Sequence, residues 1–286
     1  MGILAAKQPP GAQEDRPVLH LSGPVLKAAL ERLIVASDGV GGIEKYCDAV
    51  RLKCALFQDI LGSDKIGSLP QPDFEEVSAF MATVRRRIAK GIDEVGYSTI
   101  RNAIVALLEG SEDTSTTDQR MASFVAAFPA EKSFRWARDL GAEILHAMDP
   151  ERYPLMIKWV WDAKANTGVL REIWHGDNVD HMVIDAPDTY AMFVVLREEL
   201  SQFLADNGIF RDMLSYVDLL QAQVYADYIN AQGGTYLRTD FATEGDPLEH
   251  SRRILGLDGV SSRTGRTKFK TIDGSASVVS DTKYLA

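Results

Sequence analysis

Apolar residues recur at three- and four-residue intervals along most of the chain, the period of a helix with one buried face. The pattern is plainest in Ile43, Tyr46, Cys47, Val50, Cys54, Phe57 and Leu61. There Arg51, Lys53, Gln58 and Asp59 fall elsewhere on the wheel, and Gly62 marks the end. Upstream, Ser22 stands as an N-cap with Pro24 in the first turn, so VLKAALERLIVA predicts a helix to about Ala36. Val77, Phe80, Met81, Val84 and Ile88 share one stripe behind an Asp73 N-cap. Acids in its first turn and Arg85, Arg86, Arg87 and Lys90 in its last would complement a helix dipole. Helices are also expected from Ser98 to Glu109, over 118–128 and over 130–148, the last stopped by Asp149-Pro150.

The strongest periodicity comes late. Tyr190, Phe193, Leu196, Leu200, Phe203 and Leu204 form one stripe, and Phe210, Met213, Val217, Leu220, Val224 and Tyr228 form another. The break at Asn207-Gly208 predicts an antiparallel helical hairpin. A last short helix is expected from Asp246-Pro247 to near Gly256.

One stretch reads two ways. Alternation puts Ile157, Trp159 and Trp161 on a strand face and, with KANTG as a turn, gives a small β-hairpin over 157–174. Helical spacing instead groups Leu155, Met156, Trp159 and Val160, and the helical neighbours favour that reading. The expected fold is therefore all-α, a bundle-like protein of about nine or ten helices. An N-terminal helical part (22–128) packs on a C-terminal one (129–257). A Pro- and charge-rich arm (1–21) and a Ser-rich, basic tail (258–286) have little to bury and are expected to be mobile.

Composition supports a sizeable core: 45% of the 286 residues are hydrophobic and 25% are charged. The net charge of −10 sets the body against nucleic-acid phosphates and anionic membranes. The tail runs the other way, with Arg263, Arg266, Lys268 and Lys270 close together and no acid among them. Those four are candidates for an acidic or nucleic-acid partner, although a solvated tail is the plainer reading. Cys47 and Cys54 are about 10.5 Å apart along a helix axis, too far for a disulfide, and read as small buried hydrophobes. With no membrane-length apolar run and no signal-type apolar core, a cytoplasmic protein without membrane association is expected.

All four tryptophans and three of the five histidines fall between Phe134 and His181. Such density marks either a packing centre or a ligand pocket. The candidate binding residues are Trp159, Trp161, Arg171, Trp174, His175, Asp177, Asp180 and His181. His175 to His181 gathers metal-type ligands, but the two histidines lack helical register, and Asp and Asn suit any turn, so no metal is expected. Glu143 and His146 share one helical face, as in di-iron bundles, yet no second Glu-x-x-His exists to complete such a site. Asp162 to Ile173 departs from a calcium loop at its sixth and twelfth positions. The Gly-Val-Gly-Gly run near 39–42 lacks the Lys-Ser/Thr of a phosphate loop. Neither a nucleophile elbow nor a dinucleotide fingerprint is present, and no cofactor is expected.

The sequence thus points away from an enzyme and towards a cytoplasmic helical accessory or adaptor protein that binds a protein partner, with homo-oligomerisation left open. The alternatives are a small-molecule-binding protein or enzyme with its pocket in 134–181, and a nucleic-acid-associated protein using the basic tail.

Overall fold

The computed structural model describes residues 17–38, 41–62, 65–176, 179–232 and 248–257, together with the backbone of 267–270 and 276–279. The helices are α1 (Gly23–Asp38), α2 (Glu44–Leu61), α3 (Gln71–Ser78), α4 (Ile88–Val95), α5 (Tyr97–Leu108), α6 (Thr117–Ala126), α7 (Trp136–Met148), α8 (Val169–Glu172), α9 (Tyr190–Asp206), α10 (Met213–Gln232) and α11 (Glu249–Ile254). The fold is all-α and multi-helical, as the three-four spacing predicts. One two-stranded antiparallel ribbon, β1 (Thr267–Lys270) with β2 (Ala276–Val279), lies in the tail region.

The packing centre is α10. It touches α1, α2, α8, α9 and α11, and its buried residues run all round its axis, from Val217 and Asp218 through Leu219, Leu220, Gln221, Ala222, Gln223 and Val224. A helix wrapped on all sides loses the one-sided pattern of a surface helix. Around it α2 lies on α7, and α7 lies on α6. At the edge of α7 four aromatic rings, Phe124, Phe128, Phe134 and Trp136, stack edge-on or tilted. Gly91 of α4 comes so close to this group that a Cβ there would lie 2.4 Å from the Trp136 ring.

Three local expectations are corrected. The stripe from Val77 to Ile88 is buried throughout, but it is not one helix. α3 ends at Ser78, whose hydroxyl donates back to the Phe74 carbonyl at 2.7 Å, and turns carry the chain to α4. Side-chain competition for helix carbonyls of this kind weakens a helix locally. Arg85, Arg86 and Arg87 therefore precede a helix rather than end one, and the dipole argument for them fails. Second, residues 157–167 are neither helix nor extended hairpin. The chain turns tightly, and Asp162 and Thr167 exchange backbone hydrogen bonds of 2.9 and 3.3 Å before α8. Third, α10 begins at Met213, so Phe210 lies in the connection from α9. Asp212, at φ +53°, turns the chain into α10 and pairs with Arg51 of α2.

At the N-terminal end, His20 and Leu21 are held against the body. The His175 N–H donates to the His20 carbonyl at 2.7 Å, Ser22 N–H to the Ile173 carbonyl at 2.7 Å, and Leu21 bridges Trp174. Residues 1–16 of the expected mobile arm, and the expected mobile tail apart from the β1–β2 backbone, lie outside the described residues.

Candidate functional site

The Trp-rich candidates are distributed through the structure rather than gathered at a pocket. Trp161 is wholly buried and donates from Nε1 to the Ala186 carbonyl at 2.9 Å. Trp159 is also buried, packs on Tyr225 of α10 with ring centroids 5.5 Å apart, and has no partner for its Nε1–H. Trp174 is half-buried, edge-on to His20. Arg171 donates to three backbone carbonyls, those of Asn166 (3.3 Å), Met182 (3.2 Å) and Val179 (2.7 Å). It thus holds the 179–182 loop onto the turn after Trp161. Asn166 does the same from its side chain, giving to Met182 O and accepting from Ile184 N. His175 and His181 are exposed. Asp177 lies outside the described residues, as does the Asp180 side chain. Of the tail candidates, Lys268 and Lys270 are placed only as backbone on β1, and Arg263 and Arg266 lie outside the described residues. Among the described residues no group of three or more His, Cys, Asp or Glu is placed to hold a metal ion.

A different set converges. Glu143 and His146, one helical turn apart on α7, face α2 and α10 inside the bundle. Lys53 of α2 donates to Glu143 Oε2 at 2.7 Å, and both side chains are buried. His146 Nε2 meets Asp218 Oδ2 of α10 at 3.0 Å, and its Nδ1 meets the Tyr153 carbonyl at 2.8 Å. A carbonyl only accepts, and so does an ionised carboxylate. His146 serves both only when both ring nitrogens carry protons. Burial pushes the His146 pKa down, but the Asp218 charge and hydrogen bond and the Tyr153 carbonyl outweigh it, and the net shift is upward. The quartet then holds two cations and two anions. Buried charges persist when each is paired and hydrogen-bonded.

A second hydrogen bond from this quartet runs in an unexpected direction. Lys53 Nζ also donates to the Leu255 carbonyl, just past α11, at 2.9 Å. Between the quartet and Leu255 and Leu257 lies a small cavity, lined also by Val50, Cys54, Ala147 and Leu155, with space for about one water molecule. Burial pushes the Cys54 thiol up to about 12, so it is a protonated, apolar wall of this cavity.

The sequence signal for this site was partial. Glu143-x-x-His146 is visible as spacing, and the search for a second copy leads away from its actual partners. Lys53 falls outside the apolar stripe of α2 and looks solvated. Asp218 is one of two acids in a helix whose surroundings cannot be seen from periodicity. The available clue is that α10 carries Asp218, Gln221 and Gln223 between apolar residues in a helix without a polar face.

Compared with protein-family models, curated proteins and solved structures, the chain matches none.

Proposed function

We propose that the protein is a helical accessory or adaptor protein that works by binding a protein partner. The observation that carries this is Phe210, a large aromatic left 74% exposed on the α9–α10 connection beside exposed Arg211. Aromatic and arginine side chains dominate the binding energy of protein interfaces. Here they project from a rigid base: Ile209 N–H is bonded to Leu204 O at 3.0 Å, and Asp212 is tied to Arg51. Val18, Val35 and Val183 are also more than seven-tenths exposed, and such residues are the usual material of contact surfaces when they join a larger patch.

The small-molecule alternative draws less support. Trp159 and Trp161 are packed in the core, Arg171 is committed to backbone carbonyls, and the cavity at the charged quartet is of water size. No helix among the described residues is long and apolar enough to cross a membrane.

The test is affinity purification from the native host with wild-type chain and with Phe210→Ala and Arg211→Ala variants. A partner retained by the wild type and lost from both variants, with melting temperature unchanged, supports the reading. Identical co-purifying sets for all three chains would remove Phe210 as its basis.

A further inference from the structure

The Leu248–Leu257 segment sits on the bundle as a bound peptide would. Its helix, α11, has six residues, far too few to be stable alone in water. Leu248, Ser251, Leu255 and Leu257 are buried, and Ser251 Oγ donates to Gln223 Oε1 at 3.0 Å. The carbonyl of Leu255, the residue that caps α11, takes the Lys53 ammonium. The segment is thus recognised in the way a groove recognises an amphipathic helix: apolar anchors along one face and a polar contact at one end. Gly256 finishes it at φ +70°, and a Cβ there would lie 1.7 Å from the Phe80 carbonyl. Beneath it is the water-sized cavity, so the fit is incomplete over the quartet. A segment with two basic residues in its last turn, Arg252 and Arg253, also suits a chain of net charge −10.

From these features we infer that α2, α7 and α10 form an exchangeable docking groove for a short, leucine-bearing helical peptide ending in a carbonyl that reaches Lys53. The chain's own Leu248–Leu257 is its resident occupant. A partner's helix of the same chemistry displaces that segment and takes over the Leu255 carbonyl's place on Lys53. The inference deepens the protein-binding reading and rests on it only for the source of the displacing helix. The groove and its occupant are tested without any partner.

The two cysteines make the test internal to the 286-residue chain. Cys54 lines the cavity under Leu255 and Leu257, whereas Cys47, two turns back on α2, is not among its lining residues. Burial pushes both thiols up to about 12, so they start as comparable, protected groups. Iodoacetamide labelling is followed at each cysteine by peptide mass spectrometry, in wild type and in Gly256→Val, whose side chain would meet the Phe80 carbonyl and which leaves the residues lining the cavity unsubstituted. In wild type Cys54 should label faster than Cys47, because local opening is easier than global unfolding. In Gly256→Val the Cys54 rate should rise about tenfold or more with Cys47 unchanged, the size of effect that a modest loss in docking produces. Excess synthetic peptide of residues 246–258 should restore protection of Cys54 in the variant, and the same peptide with Leu255→Asp and Leu257→Asp should not. Parallel labelling of both cysteines would show the segment to be an inseparable part of the core and would overturn the inference. So would an unchanged Cys54 rate in the variant, or a peptide that fails to protect. Because no partner enters this experiment, its failure leaves the Phe210 reading standing, and the converse also holds.

Discussion

Asp218 of α10 accepts from His146 Nε2 of α7 at 3.0 Å, and this contact joins the two most buried helices of the bundle through a charge pair rather than through hydrocarbon. The other ring nitrogen is held by the Tyr153 carbonyl, so the imidazole cannot rotate to drop either partner without leaving a buried acceptor empty. Stability is thereby tied to the proton on His146. The shift is upward from 6.5, so this contribution is fully present below the unfolded-state pKa and is lost as pH rises through the folded-state value. Urea denaturation across a pH series should show wild type losing stability as pH rises from about 6 into the alkaline range. His146→Gln should flatten that fall. Parallel slopes for the two proteins would show that His146 does not titrate in this way.

The Lys53–Glu143 pair predicts an asymmetry between single and double substitution. Lys53→Met leaves Glu143 buried without the cation it is bonded to, and Glu143→Leu leaves Lys53 with the Leu255 carbonyl as its remaining acceptor of these two. Breaking one side of a buried pair costs roughly 3–5 kcal/mol. Lys53→Met combined with Glu143→Leu should recover much of that loss, because no uncompensated charge remains. Denaturation midpoints of the three variants check it. Additive losses in the double variant would contradict a mutual pair.

How much of this was legible in the sequence depends on whether the residue's environment is local. The spacing of Ile43 through Leu61 and of Tyr190 through Leu204 reports a helix with a single buried face, and α2 and α9 follow it closely. Val77 to Ile88 also reports burial correctly. It misses the break after Ser78, because a run of buried turns can place the same residues inward as a helix would. Phe210 fits the α10 stripe by spacing alone, yet the left-handed Asp212 starts the helix three residues later and leaves the ring outside. The charged quartet draws on α2, α7, α10 and the segment after α11, across up to 202 residues of sequence. No window of a single sequence brings such partners together, so Glu143 and His146 were visible only as half of an unrelated metal motif.

Gly168 should be intolerant of any side chain. It closes the turn after Trp161 at φ +123°, and a Cβ there would lie 2.7 Å from the Val160 carbonyl oxygen and 3.0 Å from that of Trp159. Both contacts are with backbone, which cannot rotate away as a side chain would. Gly168→Ala should lower stability by about 1–3 kcal/mol, the usual cost of a strained backbone position. Thermal unfolding is the measurement, and an unshifted melting temperature would mean that the turn can open to admit the methyl group.

The tryptophans give the finest test, because three of them lie close in sequence and differ in environment. Trp161 is wholly buried with its N–H on the Ala186 carbonyl, Trp159 is buried with its N–H unpaired, and Trp174 is half-buried beside His20. Truncating either buried indole to Ala should cost about 3–5 kcal/mol through lost burial and the cavity left behind. Replacement by Phe separates the two. At Trp161 it discards a hydrogen bond and leaves a buried carbonyl without its donor, a penalty of about 1–3 kcal/mol on top of the lost volume. At Trp159 it removes a donor that has no partner, so the volume change acts alone and the loss should be smaller. Trp174→Ala should be the mildest of the truncations, and Trp174 should be the most accessible to iodide when single-tryptophan variants are quenched. If Trp159→Phe proves as damaging as Trp161→Phe, the Trp159 N–H has an acceptor in solution, and a bound water is the first candidate for it.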